Sequence, residues 1–121
     1  MDSKKGLMIA ALGVGAYYLL TKSGTPTFYD INGKSINAIV CGASVSFDVP
    51  GYKRVWMSQL KDGQLHFDAP FDLPMPLYIM NCSNDVGVYD VAVYEIDAND
   101  VKGKLIGQTT FVVYPSGYAS S

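Results

Sequence analysis

The chain has 121 residues, with 9 Lys and Arg against 11 Asp and Glu, and a net charge of −2. That length suits a single soluble domain with little to spare. The mild acidity excludes the basic patch that nucleic-acid binding requires, so no nucleic-acid partner is expected. Two Cys and one His leave too few ligands for a zinc site, and no cofactor motif is present.

Residues 6–20 read "GLMIAALGVGAYYLL", an uncharged run with Lys4 and Lys5 before it and Lys22 after it. A core helix keeps one polar face at a period of about 3.6 residues, and this run has none. A small chain cannot wrap such a helix on every side. The basic start and the small residues Val14-Gly15-Ala16 also fit a secretory signal. The segment is read here as a retained anchor, a transmembrane helix over residues 1–22. Leu7, Ile9, Leu12 and Leu20 face lipid, and Tyr17 and Tyr18 settle at the headgroup level. Fifteen residues span about 22 Å against a hydrocarbon core of about 30 Å. Snorkelling Lys stems and local thinning close that gap.

Residues 23–27, "SGTPT", form a linker, with Gly and Pro ending the helix. Residues 28–115 read as strands and turns. "INAIVCGASVSFDV" is β-branched, with Val45, Phe47 and Val49 alternating with polar residues. "PGY" turns the chain into "KRVWMSQL", a strand around Trp56, and "KDG" is a hairpin turn into "QLHFDA". Alternation there sends His66 to solvent. "APFDLPMP" is broken by proline and belongs at a sheet edge or in a loop. "LYIMNC" and "VGVYDVAVYEI" are strands, "DANDVKGK" is a turn, and "LIGQTTFVVY" returns. About seven strands and no helix indicate an antiparallel β-sandwich. Residues 116–121 form a tail.

"DVGVYDV" places Asp85, Gly87 and Tyr89 in the order Asp-x-Gly-x-Tyr, with Val91 two residues on. This resembles the tyrosine corner of immunoglobulin-like domains, and the resemblance covers about residues 37 to 114. It implies an immunoglobulin-like sandwich with Phe47, Trp56, Tyr89 and Val91 in its core. Cys41 and Cys82 do not stand at the inter-sheet disulfide positions of antibody domains. Free buried thiols are expected, with pairing the alternative in an oxidising compartment. The acidic residues of "DANDVKG" are read as turn formers rather than a Ca²⁺ loop. Asn81-Cys82-Ser83 matches a glycosylation acceptor, but a strand position makes it a chance match.

No nucleophile, base or metal constellation stands out, and an enzyme is not expected. An anchored sandwich without such a site points to a protein that holds others in place. The start "MDSKKGLMIAALGVGAYYLLTK" is similar to the Lys-bracketed anchors of minor capsid proteins in membrane-containing icosahedral phages of the tectivirus and corticovirus kind. That resemblance implies a virion protein tying an internal lipid membrane to the capsid. Its partners would be the major capsid protein, a penton or spike, and copies of itself. The alternative is an adhesion or assembly module anchored in a bacterial inner membrane. Lys4 and Lys5 against Lys22 favour a cytoplasmic N-terminus and an exported domain, which suits that alternative better. Phe71 and Leu73 in the proline stretch and Tyr118 in the tail are the expected partner contacts.

Overall fold

The computed structural model describes residues 24–117. The anchor residues Lys4, Lys5, Leu7, Ile9, Leu12, Tyr17, Tyr18, Leu20 and Lys22 lie outside that range, as does Tyr118. Among the described residues, no helix is long and apolar enough to cross a membrane.

Nine strands make up the described chain. They are β1 (Thr27–Tyr29), β2 (Ser35–Ile36), β3 (Ala38–Val40), β4 (Ser44–Asp48) and β5 (Arg54–Lys61), then β6 (Gln64–Asp72), β7 (Met75–Ile79), β8 (Gly87–Ile96) and β9 (Lys102–Tyr114). Five form one sheet in the order β3-β9-β8-β5-β6, and four form the other in the order β2-β1-β4-β7. Pairing is antiparallel except between β3 and β9, where Val112 pairs with Ala38 and Tyr114 with Val40 in parallel register. The expected count was about seven, because the stretch around Asn37 and Cys41–Ala43 breaks one long β-branched run into β2, β3 and β4.

Side-chain alternation drives the two sheets together. Val45 and Phe47 of β4 point the same way, as do Val91 and Val93 of β8, and all four are at most 1% exposed. Phe28 of β1 stacks on Phe111 of β9 with ring centroids 4.1 Å apart, so the sheets meet across an aromatic contact. Trp56, expected in this core, lies on the other face of β5. Its neighbours Val55 and Met57 are buried, so the period of two turns Trp56 outward. There its Nε1 donates to Asp68 Oδ1 at 2.7 Å, and the Lys102 ammonium stands 6.0 Å from the ring centroid.

The proline stretch divides in two. Residues up to Asp72 finish β6, with Pro70 tolerated because β6 is an edge strand, and Met75 opens β7 on the edge of the other sheet. "LYIMNC" is a strand only as far as Ile79. The Asp62-Gly63 turn joins β5 and β6 with positive φ at both residues (52° and 83°), the geometry that a two-residue hairpin needs.

The presumed linker belongs to the sandwich from Gly24 onward. Gly24 and Pro26 are buried, and the Gly24 amide donates to the Pro50 carbonyl at 2.8 Å. A Cβ on Gly107 would sit 2.7 Å from the Gly24 carbonyl oxygen, so only glycine lets the entering chain pack this closely.

The cysteines are paired. Cys41 and Cys82 form a disulfide with Cα atoms 5.0 Å apart, against the expectation of free thiols. The chain brings them together because the turns after β3 and β7 meet: Gly42 N donates to Met80 O, and Met80 N donates to Ala43 O. The Cys41 amide also donates to Tyr114 O. One pole of the sandwich therefore carries the disulfide, the β5–β6 turn and the end of β9. The opposite pole carries Gly24, the Pro50-Gly51 turn and the β8–β9 loop.

Candidate functional site

Strands β6 and β7 are consecutive in the chain but lie on the outer edges of different sheets, and among the described residues no strand lies beyond either. The sheets are not sealed along this side. A cleft of about 230 Å³ runs inward between them. Its walls are Phe28, Phe47, Phe71 and Phe111 with Met57 and Met75. Polar groups occur at the disulfide-pole end of the lining: Gln59, His66, Tyr78, Asp85 and Tyr89.

Both edge strands are bulged beside this opening. Gln59 pairs with Phe67 and Leu60 with Leu65, so His66 is an extra residue in β6. On the other side Val45 pairs with Tyr78 and Phe47 with Met75, leaving Pro76 and Leu77 opposite Ser46. A bulge re-aims side chains out of strict alternation. His66, expected simply to face solvent, is exposed, but its ring lies 6.0 Å from Tyr89 in an edge-on arrangement at the rim of the cleft.

Asp85 organises the polar end. Its Oδ2 accepts from the Tyr78 hydroxyl at 3.1 Å and from the Asn81 amide at 2.7 Å, and its carbonyl accepts from the Tyr89 hydroxyl at 2.6 Å. The carboxylate holds the Tyr78 phenol in its protonated form and raises its pKa. Burial, helped by Asp85 and Asp62, pushes the Tyr89 phenol up to about 12. Asp62 is itself fixed, since its carboxylate accepts from the Val88 amide at 2.9 Å.

The expected partner contacts are placed differently. Phe71 and Leu73 are half-buried and packed against the core, so each offers only part of its side chain to a partner. They turn inward because edge strand β6 and the turn after it close over Phe47: the Phe47 and Phe71 ring centroids are 6.4 Å apart. The exposed apolar side chains lie next door on β7, where Leu77 and Ile79 are 52% and 64% exposed. Asn81, read as a strand residue, sits in an exposed turn, where its Oδ1 accepts from the Ser83 amide at 2.7 Å.

At the other pole Arg54 of β5 bridges the end of β6 and the β8–β9 turn. It pairs with Asp72 and, at 2.9 Å, with Asp100 of the β8–β9 turn. These contacts raise the guanidinium pKa and lower that of Asp100. Asp97 caps the same turn, its Oδ1 accepting from the amides of Asn99 and Val101. Among the described residues, no three His, Cys, Asp or Glu side chains converge to hold a metal ion.

Sequence reasoning joined Asp85 and Tyr89 in the corner motif, and their bond is present, but it missed that His66 comes beside Tyr89. It also missed Gln59 and Tyr78. Only the fold joins β5, β6, β7 and the 80–86 turn at one end of the cleft, and the bulge that turns His66 leaves no signal in composition. No protein-family model, curated protein or solved structure matches this chain.

Proposed function

We propose that the protein is a membrane-tethered β-sandwich that holds a partner at a fixed distance from a lipid surface, without turnover, with its domain on the exported side. The Cys41–Cys82 disulfide carries this proposal. Disulfides persist in oxidising compartments and are rare in the cytosol of mesophiles. The bias of Lys4 and Lys5 against Lys22 favours the same orientation. The envelope-anchored adhesion or assembly module thus gains over the virion protein, whose capsid would be assembled in the reducing cytoplasm. The virion assignment keeps the support of the anchor's resemblance to minor capsid proteins, and would bring the major capsid protein, a penton or a spike as partners.

The arrangement of the poles suits a tether. Gly24 enters at one pole, and the disulfide, the Tyr89 corner and the polar end of the cleft lie at the other. Strand β8, with 10 residues, runs between them over about 34 Å. An anchor attached at Gly24 leaves the far pole turned away from the bilayer.

The immunoglobulin-like assignment has support in the strand order. β6-β5-β8-β9 corresponds to C′-C-F-G and β1-β4-β7 to A-B-E, with Tyr89 at the start of F. Among the described residues strand D has no counterpart, which leaves the cleft open beside β7. The disulfide links two turns and does not occupy the inter-sheet position of antibody domains.

The test is the redox state in cells. Cells making the full chain are quenched with N-ethylmaleimide, and membranes are then reduced and treated with a polyethylene-glycol maleimide. Two added labels, seen only after reduction, are expected. Replacing Lys4 and Lys5 with Glu should reverse the orientation and leave both thiols open to the first reagent. Free thiols in the membrane-bound parent chain would overturn the exported orientation.

A further inference from the structure

We infer that the cleft between β6 and β7 is a binding site for a small amphiphile: one aliphatic chain of about eight carbons with a neutral or cationic head. The inference does not depend on the membrane tether. Three observations carry it.

The first is volume. A cavity of about 150 Å³ lined by apolar side chains accommodates six-carbon benzene and stays dry without it. At about 230 Å³, the cleft scales to eight or nine carbons. The second is the lining. Phenylalanine rings and the thioethers of Met57, Met75 and Met80 face the space. Methionine adapts its shape to irregular apolar guests, so a flexible chain fits better than a rigid polycycle.

The third is the one-sided placement of polar groups beside two bulges. A chain lying among the phenylalanines would bring its head to Gln59, His66, Tyr78 and Asp85. Asp85 retains acceptor capacity beyond its bonds to Tyr78 and Asn81. Asp62 adds a second carboxylate near Tyr89. The neighbouring cation, Lys61, is engaged with the Asn84 carbonyl and lies 6.0 Å from the Tyr89 ring centroid. A hydroxyl or ammonium head meets acceptors here, whereas a carboxylate head meets two like charges against the one Lys61 cation. An apolar pocket with a few convergent polar groups is the place in a fold where a ligand is first to be sought.

The chain's own methionines supply the measurement. Met57, Met75 and Met80 line the cleft, while Met1 and Met8 lie outside the described residues and give reference signals. The full chain, labelled with ¹³C-methyl methionine in lipid nanodiscs, is titrated with 1-octanol, n-octylamine and octanoate. Octanol and octylamine should shift the three cleft methyls saturably and leave the reference methyls at the positions seen with lipid alone. Octanoate should bind at least tenfold more weakly. Phe71→Trp, or Met75→Phe if that variant fails to fold, should weaken binding tenfold or more by filling the cleft.

A doxyl-labelled lipid in the disc separates the two sources of such a chain. Broadening of the cleft methyls by that lipid assigns the site to bilayer lipid. Its absence, with octanol bound, assigns the site to a free amphiphile. Unsaturable or uniform shifts in the parent chain, or equal affinity in a folded filled variant, would overturn the site. Octanoate binding as tightly as octanol would overturn the assigned head chemistry.

Discussion

The Tyr89 hydroxyl donates to the Asp85 carbonyl at 2.6 Å, four residues upstream, and so ties the start of β8 to the turn that precedes it. Tyr89 is 5% exposed, so its hydroxyl has little access to water in place of this partner. Tyr89→Phe should cost about 0.5–1.5 kcal/mol in urea unfolding, and more if the freed carbonyl stays dry. A variant as stable as the parent would remove the corner from the list of stabilising contacts.

The same residue sets an alkaline limit. Its folded pKa is raised from 10.0 to about 12, chiefly by burial. A raised pKa means that the folded state holds the proton more tightly than the unfolded chain. The stabilisation is therefore complete below pH 10 and is lost as the pH rises through about 12. Midpoint temperature should fall across that window, and the fall should be shallower in Tyr89→Phe. Parallel pH curves for the two proteins would assign the alkaline loss elsewhere.

The disulfide closes a loop with a sequence separation of 41. Replacing Cys41 and Cys82 together with Ala should cost about 2–4 kcal/mol, mostly by freeing the unfolded chain. Reduction of the parent should give a similar loss. An unchanged midpoint would mean that the backbone bonds of Cys41 to Tyr114 and of Met80 to Ala43 hold this pole unaided.

Much of the sandwich is written in short-range patterns. The alternation of β4 and β8, the Asp62-Gly63 turn and the Asp97 turn each follow from a few adjacent residues, and the structure shows each of them. Facing was less legible. Trp56 invites burial by size, yet its position between Val55 and Met57 fixes it outward. The disulfide needs the turns after β3 and β7 to meet, and no spacing of two cysteines encodes that. His66 is exposed as its alternation suggests, but its approach to Tyr89 comes with a bulge that leaves no compositional mark. The cleft could not be read at all, because it opens where, among the described residues, no strand lies beyond β7.

The packing of Phe71 against the core gives it a share in stability. An Asp there would stand beside Phe47 and Phe67, whose ring centroids are 6.4 and 5.9 Å from that of Phe71. Loss of the ring and burial of a carboxylate together should cost about 3 kcal/mol or more. Phe71→Asp should therefore unfold the domain or lower its midpoint sharply, rather than detach a partner from a folded domain. Leu77→Asp is the contrast. Leu77 is 52% exposed on the outer face of β7, so stability should stay within about 0.5 kcal/mol. If that folded variant loses a partner that the parent retains, the docking face lies on β7.

Trp56 offers a direct optical check of which face of β5 is buried, because it is the one tryptophan in the chain. Its indole is half-buried on the outer face, donating to Asp68 beneath Lys102. Emission should resemble that of a partly solvated indole, and acrylamide should quench it in the folded state. Trp56→Phe removes the Asp68 bond but little packing, so the cost should be about 1 kcal/mol or less. Phe47→Ala, by contrast, empties a fully buried site and should cost about 3–5 kcal/mol. Asp68→Asn, which keeps the shape but removes the charge beside the indole, should change the fluorescence and leave the midpoint nearly unchanged. Blue-shifted emission protected from acrylamide would place Trp56 in the core and require β5 to be paired one residue out of register, with Val55 and Met57 turned to solvent.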